Sequence, residues 1–379
     1  MKRILYVAGA RSFYTNHPIR KMKGVIKGII EKGNSVDFIG GGDITFNKNL
    51  SAASGGRGIS KIRQKNYLNI SISEFLDIGH DLLFSFLILR KLLFYKFDIV
   101  LERSSRLHIT TLILSKIFKK FYILEWKDHI VDYNSSLFVK YAVFIENIKI
   151  KHADKIIVES NILKLQLSKK VDVSKIVVAY NAVDVPNIST SLIKNKFIKS
   201  KKLKILYAGG YAYYHNMNLL VDIAKILEKS SFLNRMEFLI IGNGPFKNEL
   251  LLKLEELNLQ NIYKFYDSMK FEELEKFYLE ANIGILPGST DIICPIKVME
   301  YMGYGMIPLI PNYLCNKEVV ENNYNGILFN SNDPSSFVRK LKLLVDKNTA
   351  DLSEIAINAN NSVNSNFSWI RTWGSVVVN

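Results

Sequence analysis

Short apolar runs alternate with helically spaced apolar positions along nearly the whole chain. Ile4–Ala8 and Ser35–Ile39 have the length and apolar density of buried strands. Between them Ile19, Met22, Ile26 and Ile29 recur at spacings of three and four, the repeat of one helix face. Gly40–Gly42 reads as a turn, and the Gly- and Ser-rich Ser51–Gly58 as a loop. A long helix is expected over Ile72–Phe94, then a strand Phe97–Leu101, a helix through Leu112–Phe118 and a strand Phe121–Glu125. A helix over Val139–Lys151 and strands Lys155–Glu159 and Lys175–Ala179 complete the first half. Strands separated by helical patterns point to a parallel sheet covered on both faces.

The pattern pauses over Val185–Lys202, where a proline, polar residues and lysines show weak periodicity and suggest a linker over 186–202. It then restarts. Strands are expected at Leu203–Ala208, Glu237–Ile241, Ile262–Tyr266, Ile283–Leu286 and Ile307–Ile310. Helices are expected at Asn218–Leu227, Lys247–Leu257, Phe271–Glu280, Lys297–Met302, Ser335–Asp346 and from Leu352 onward. The fold class is therefore α/β, with two Rossmann-like doubly wound domains in tandem. Open sheets of this kind bind ligands beyond the carboxyl ends of their strands, so the strand-to-helix loops are where chemistry is expected.

Composition narrows the function classes. A chain of 379 residues suits about two domains at roughly 150 residues each. Two cysteines, Cys294 and Cys315, exclude a disulfide scaffold and a multi-Cys zinc site, and suit a reducing compartment. The start MKRILYVAGA turns polar too soon for a signal peptide. The most apolar run, Leu82–Leu89, falls short of the roughly 18–20 residues of a membrane span. Lys plus Arg number 51 against 35 Asp plus Glu, a net charge of +16. That admits nucleic acid, an anionic membrane surface or phosphorylated small molecules. No zinc-finger spacing or RNA-recognition pattern is present, so no nucleic-acid partner is expected.

The richest loop is Gly288–Gly305. A strand runs into it and a helix opens at about Pro295, a residue suited to the first helical position. Helix N-termini offer unpaired N–H groups and a positive dipole end to a diphosphate. Lys297 in the first turn is disfavoured by that dipole unless an anion offsets it. Glu300, one turn on, is placed to hydrogen-bond ribose hydroxyls; alternatively both residues are ordinary exposed helix positions.

These residues lie in PIKVMEYMGYGMIPLI at Pro295–Ile310, which resembles the second half of the Glu-x7-Glu region of retaining glycosyltransferases with the GT-B fold, family four or "group 1". The resemblance covers most of the chain. Tyr207–Leu220 resembles the first strand and loop of the family's nucleotide-binding domain, and Leu239–Pro245 its GxGP turn. Ala281–Ser289 resembles its AD-strand-PS segment, and Asn325–Phe329 with Asp333–Pro334 its NGxLF…DP signature. In the first half Ala153–Ser160 and Tyr180–Asp184 look like its ADxIIxxS and NGVD signatures.

The resemblance implies two domains facing across a cleft. An acceptor domain would span 1–185, with a C-terminal helix 363–379 packing back on it, and a nucleotide-sugar domain would span 203–362. It implies transfer of a sugar from a nucleotide-diphosphate sugar to a hydroxyl, with retention and with neither metal nor other cofactor. Lys297 and the N–H groups near Pro295–Ile296 would stabilise the leaving diphosphate, and Glu300 would hold the ribose. Gly209, Gly210, His215, Asn216, Gly242, Gly244 and Pro245 would complete the donor site. The acceptor would be a sugar or lipid-linked saccharide, in cell-surface polysaccharide, lipopolysaccharide or lipid-linked oligosaccharide assembly. The setting would be cytoplasmic, with the inner membrane's cytoplasmic face as a peripheral contact.

Departures qualify this. The first Glu of the Glu-x7-Glu pattern falls on Ile292, with Asp291 beside it, and the usual Arg and Lys of the first loop fall on Gly210 and His215. A catalytically weak binding or scaffold subunit is therefore an alternative, as is a nucleotide-sugar epimerase. For the acceptor proton, Glu125, Asp128 and His129 follow one strand, with Lys127 where many relatives have a His, and Arg103 ends another. A His or a partly buried carboxylate could serve as base; alternatively Glu125 and Arg103 form a structural ion pair. His80, His108 and His152 read as helix-surface residues. Arg11, Tyr14 and His17 of the first strand-to-helix loop would line the cleft, giving a bulkier acceptor site than the Gly-Gly pair of relatives. Arg20, Lys23 and Lys27 form a basic stripe on the first helix, which with Leu82–Leu93 could meet an anionic membrane; otherwise the apolar run packs in the core.

Overall fold

The computed structural model describes residues 1–8, 16–40, 67–105, 107–126, 137–184, 186–198, 202–211 and 213–378, without the side chains of 16–20, 67–73, 76 and 213. Arg11, Tyr14, the Ser51–Gly58 loop, Lys127, Asp128 and His129 lie outside the described residues, as does the side chain of His17. His17 itself falls inside the first helix rather than in the loop before it.

The chain divides into two compact units. The first holds the described residues up to Asn181 together with Trp369 onward; the second holds those of Ala182–Ser368. In the first unit β1 (Arg3–Ala8), α1 (Asn16–Glu31), β2 (Ser35–Gly40), α2 (Tyr67–Phe94), β3 (Ile99–Arg103) and α3 (Thr110–Ile117) follow in turn. Next come β4 (Phe121–Glu125), α4 (Val139–His152), β5 (Lys155–Val158), α5 (Asn161–Leu167) and β6 (Ile176–Val178). The strands form a six-stranded parallel sheet in the order β2-β1-β3-β4-β5-β6. Ile4 to Ala8, Val100, Leu101 and Tyr122 to Leu124 are almost wholly buried, as strands covered by helices on both faces require.

The second unit opens with α6 (Thr190–Ile198), where a linker was expected. Ser189 Oγ accepts from the Leu192 N–H, and Ile193 and Phe197, four apart, bury fully. Lys196 sends its ammonium to the carbonyls of Tyr278 and Tyr304. Two apolar anchors and a buried cation hold a helix that periodicity alone does not announce. The unit continues through β7 (Leu203–Ala208), α7 (Leu219–Glu228), β8 (Met236–Ile241), α8 (Lys247–Glu256), β9 (Tyr263–Tyr266), α9 (Phe271–Glu280) and β10 (Ile283–Ile285). It ends with α10 (Ile296–Gly303), β11 (Ile307–Pro311), α11 (Leu314–Lys317), β12 (Ile327–Phe329), α12 (Pro334–Asp346) and α13 (Thr349–Asn366). Its six-stranded parallel sheet runs β12-β11-β10-β7-β8-β9.

The chain returns to the first unit at Trp369, later than the expected 363, as a π-helical turn Ile370–Gly374 and α14 (Ser375–Val378). Gly24 and Gly28 on α1 make room for it: a Cβ on Gly24 would stand 2.1 Å from the Trp369 ring, and one on Gly28 2.3 Å from the Trp369 carbonyl. Trp373 Nε1 donates to the Tyr180 carbonyl at 3.1 Å.

Two further expectations change. α5, absent from the pattern reading, supplies the crossover that parallel neighbours β5 and β6 need, and Ser160 caps it by accepting from the Leu163 N–H. α2 is split lengthwise. Phe84, Ile88 and Leu92 are buried, whereas Leu82, Leu83, Phe86, Leu87, Leu93 and Phe94 are exposed, so only one face of the apolar run joins the core. His108 is not at a helix surface but buried beside Asp81, with burial lowering its pKa to about 4.

Candidate functional site

In the second unit the strand order reverses between β7 and β10: β8 and β9 lie to one side, β11 and β12 to the other. At such a point the two following loops part and leave a crevice. The loop after β7 carries Gly209–Asn216; the loop after β10 carries Gly288 to Pro295 and leads into α10. Several sequence-derived donor residues converge here.

Backbone contacts bind the loops after β7 and β8. The Gly209 N–H donates to the Ile241 carbonyl at 3.0 Å and that of Tyr211 to the Asn243 carbonyl at 3.2 Å. Gly242, at φ +144°, could not carry a side chain: its Cβ would stand 1.9 Å from the Gly209 oxygen. Gly244 also packs closely, a Cβ there standing 2.8 Å from the Tyr211 nitrogen, and Pro245 follows it before α8. Gly210 accepts from the Tyr207 hydroxyl at 2.7 Å. Asn216, at φ +45°, donates through Nδ2 to Asn332 Oδ1 at 2.9 Å.

Lys297 is the centre of the cluster. Pro295 proves to be the cap residue of α10 rather than its first helical position, and no side chain caps this N-terminus. One residue into the helix, Lys297 turns its ammonium onto the Tyr207 ring, 4.8 Å from the centroid, and toward the Tyr207 hydroxyl at 3.4 Å and His215 Nε2 at 3.1 Å. A Cβ on Gly209 would stand 2.4 Å from that nitrogen, so glycine lets the ammonium rest against the backbone. The residue as a whole is half-buried, but its charged end is enclosed by these groups. Burial therefore pushes its pKa down to about 7, with Glu300 pulling weakly the other way. Among the described residues no carboxylate forms an ion pair with Lys297.

Glu300, one turn on, is buried, and Tyr278 on α9 donates to its Oε2 at 3.1 Å. Tyr301 accepts the Ala208 N–H at 3.0 Å and fixes α10 to the end of β7. Neither Lys297 nor Glu300 is thus an ordinary exposed helix residue. Asp291 is exposed in the loop before α10, and Ile292 is half-buried beside it.

The first unit also gathers charge at its strand ends. Arg103 and Glu125 are register partners at the ends of β3 and β4, and Arg103 Nη1 pairs with Glu125 Oε1 at 2.9 Å. Lys21 on α1 reaches Glu125 at 3.1 Å and also binds Glu159. Tyr6 donates to Glu125 Oε2 at 2.9 Å, and Lys21 lies 4.4 Å over the Trp373 ring. The geometry is that of the ion-pair alternative: both Glu125 oxygens are engaged and its side chain is fully buried, which leaves it no access as a base. On the opposite face of the same strands Glu102 binds Lys149 and Tyr122; burial raises its pKa, against the pull of Lys149. Sequence reading missed Lys21, Lys149 and Glu159: the lysines sit on helices, and Glu159, just past a strand end, falls at an unspecified position of the ADxIIxxS segment.

Among the described residues no three His, Cys, Asp or Glu side chains are grouped as a metal site requires.

Residues 189–362 match the family model described as "Glycosyl transferases group 1". An uncharacterized glycosyltransferase of Haemophilus influenzae is 28% identical over 176 residues, covering 44% of this chain and 46% of that protein. A chitobiosyldiphosphodolichol beta-mannosyltransferase of Candida albicans is 26% identical over 224 residues, covering 54% of this chain and 48% of its own. The chain thus spans about half the length of these curated relatives. The Anabaena protein HepE, solved in complex with UDP, superposes with a TM-score of 0.69 at 14% identity, covering 100% of this chain and 98% of its own. The segment that matches the glycosyl transferases group 1 model contains the Lys297 cluster, and the chain has the GT-B fold along its length.

Proposed function

We propose that the protein transfers a sugar from a nucleoside-diphosphate sugar, held by the second unit, to a hydroxyl of a sugar or lipid-linked acceptor. The observation that carries this is Lys297: an enclosed cation without an ion-pairing carboxylate among the described residues, at the strand-order reversal of a glycosyl transferases group 1 domain. Such a cation is costly to bury unless an anion joins it. As the bond from sugar C1 to the diphosphate oxygen breaks, negative charge grows on that oxygen. Lys297 and the uncapped N–H groups at the start of α10 are placed to stabilise it. Glu300, oriented by Tyr278, would accept from ribose hydroxyls.

The acceptor oxygen attacks from the face the diphosphate leaves, its proton passing to the departing diphosphate oxygen, so the anomeric configuration is retained, without a covalent enzyme intermediate or a metal. The acceptor belongs to cell-surface polysaccharide or lipid-linked oligosaccharide assembly. The relative named as a chitobiosyldiphosphodolichol beta-mannosyltransferase and another, of Erwinia amylovora, named for amylovoran biosynthesis support that class.

UDP is the first nucleotide to test, because the HepE structure holds it. Calorimetry with UDP, GDP and ADP, with and without EDTA, is expected to give metal-independent binding of one of them. The product's anomeric proton coupling should match the donor's. No binding of any nucleoside diphosphate, or binding untouched by Lys297→Ala, would sink the transferase reading. Inverted product would overturn retention. Release of an epimerised sugar without acceptor would favour the epimerase alternative.

The acceptor is proposed to be met at a membrane on the cytoplasmic side. No helix among the described residues is long and apolar enough to cross one. The exposed stripe of α2 instead offers Leu83, Phe86, Leu87 and Phe94, with Arg90 among them and Lys23 and Lys27 exposed on α1. An anionic bilayer suits this pairing of apolar and basic groups. Vesicles containing phosphatidylglycerol should co-sediment the protein at low salt, and Phe86→Asp should reduce it; equal pelleting without vesicles would overturn the contact.

A further inference from the structure

His215 and Lys297 form a couple whose proton count an incoming ligand can change. The Gly288 carbonyl oxygen can only accept, so Nδ1 of His215, 3.3 Å away, carries the proton of the neutral ring. That leaves Nε2 as an acceptor facing the Lys297 ammonium at 3.1 Å. If both groups were charged, two cations would confront each other at hydrogen-bond distance, and neither could accept. The titratable groups around them are mostly phenols: Tyr207, Tyr211 and Tyr214 from β7 and its loop, and Tyr301 from α10. Glu300 favours the charged lysine but does not outweigh burial, and Lys297 titrates near 7.

We propose that a nucleoside diphosphate is bound by this couple in its doubly protonated form, so that binding takes up a proton and makes His215 a second cationic donor to the diphosphate. The inference rests on the donor-site reading above. Phosphate charges placed beside both groups raise the proton affinity of each. The bond from Nδ1 to Gly288 holds the ring in place, so Nε2–H can turn from accepting to donating without a rotamer change. The Lys297 ammonium then leaves Nε2 for the phosphate. Where a lysine would be a permanent cation, histidine ties donor affinity to pH.

The sign follows from linkage. Because the loaded state binds more protons, nucleotide affinity falls as pH rises above about 7, by up to about tenfold per unit for each proton taken up. The test is calorimetry with UDP, or the nucleotide found to bind, at pH 8, where its terminal phosphate is already ionised. Buffers of different ionisation enthalpy then report proton exchange. Uptake of about one proton or more is expected in the native protein, and clearly less in His215→Asn, which keeps an N–H toward Gly288 but removes the nitrogen facing Lys297. In histidine-labelled protein, the His215 nitrogen shifts should show an Nδ1–H neutral ring when empty and an imidazolium when loaded. Binding with no uptake, equal uptake in His215→Asn, or a ring that stays neutral with nucleotide each overturns the inference while leaving the transferase reading intact. Failure of every nucleoside diphosphate to bind overturns both.

Discussion

The two units carry the same kind of sheet, and each gathers buried cations near the carboxyl ends of its strands, yet the charges are balanced in opposite ways. In the first unit Lys21 and Arg103 face Glu125 and Glu159, and Tyr6 occupies the remaining oxygen of Glu125. In the second, Lys297 faces Nε2 of His215, a phenol and a glycine backbone. A cluster that neutralises itself has no electrostatic need of a ligand; its charges order the fold. A cation left without an ion-pairing carboxylate carries its desolvation cost until an anion arrives. Buried charge by itself is thus a poor guide to a binding site; an unbalanced cation at the strand-order reversal is a better one. Lys196, also without a carboxylate among the described residues, is instead held by two carbonyls and anchors a helix.

The largest expected effect tests the balanced cluster. Arg103→Met removes one cation of a two-by-two set and leaves net negative charge in the interior, which should cost about 3–5 kcal/mol of stability. Arg103→Met combined with Glu125→Met leaves the Lys21–Glu159 pair intact and should recover much of that loss. Chemical denaturation of the singles and the double measures the coupling. Nucleotide affinity, read well below the unfolding transition, should not change. A double variant as unstable as the sum of the singles would break the interpretation.

Lys297→Met should behave in the opposite sense. Removing an enclosed cation that lacks an ion-pairing carboxylate should leave the empty protein as stable or more so, while nucleotide affinity drops on the order of a hundredfold, as loss of a charge-assisted contact implies. The pH dependence carries a further sign. The folded pKa of about 7 lies below the ordinary lysine value, so between the two the unfolded chain binds more protons than the folded one. Native stability should therefore rise with pH above about 7 relative to Lys297→Met. A variant that loses stability by several kcal/mol would make Lys297 a structural residue like Arg103.

This contrast was only half legible in the sequence. Lys297 and Glu300 stood out because a strand, a loop, a proline and a short helix follow one another there, and the loop glycines mark places where a Cβ would strike backbone. The alternation of strands and helices gave the first sheet and five of the six strands of the second; the edge strand β12 was not read. The balanced cluster could not be read. Lys21 and Lys149 look like solvated helix lysines until the helix faces are known, and Glu159 sits one residue past a strand. α6 was hidden for a related reason: its two buried anchors, Ile193 and Phe197, lie among lysines that dilute the period. In α2 the apolar run is continuous, so no pattern distinguishes Phe84, which is buried, from Phe86, which is exposed. In each case the missing information is which face a helix presents, and the partner element decides that.

The smallest expected effect tests how finely the unbalanced cation is placed. Gly209 follows β7 with no side chain, and its Cβ, if present, would stand 2.4 Å from Lys297 Nζ, 3.1 Å from the carbon next to it and 3.3 Å from the Tyr207 hydroxyl. The nearest obstacle is the end of a flexible side chain, not backbone, so Gly209→Ala should fold with little change in midpoint. The ammonium must nevertheless shift away from the Gly209 backbone. Its bond to His215 Nε2 at 3.1 Å and its position over the Tyr207 ring should then be lost or lengthened. A drop of about tenfold in nucleotide affinity, about 1.4 kcal/mol, is expected with stability nearly unchanged. Gly242→Ala makes the control. Its Cβ would stand 1.9 Å from a backbone oxygen at a φ that L residues rarely adopt, so it should reduce stability itself. If Gly209→Ala instead lowered stability as Gly242→Ala does and left affinity untouched, the glycine would serve loop packing, and the position of Lys297 would not depend on it.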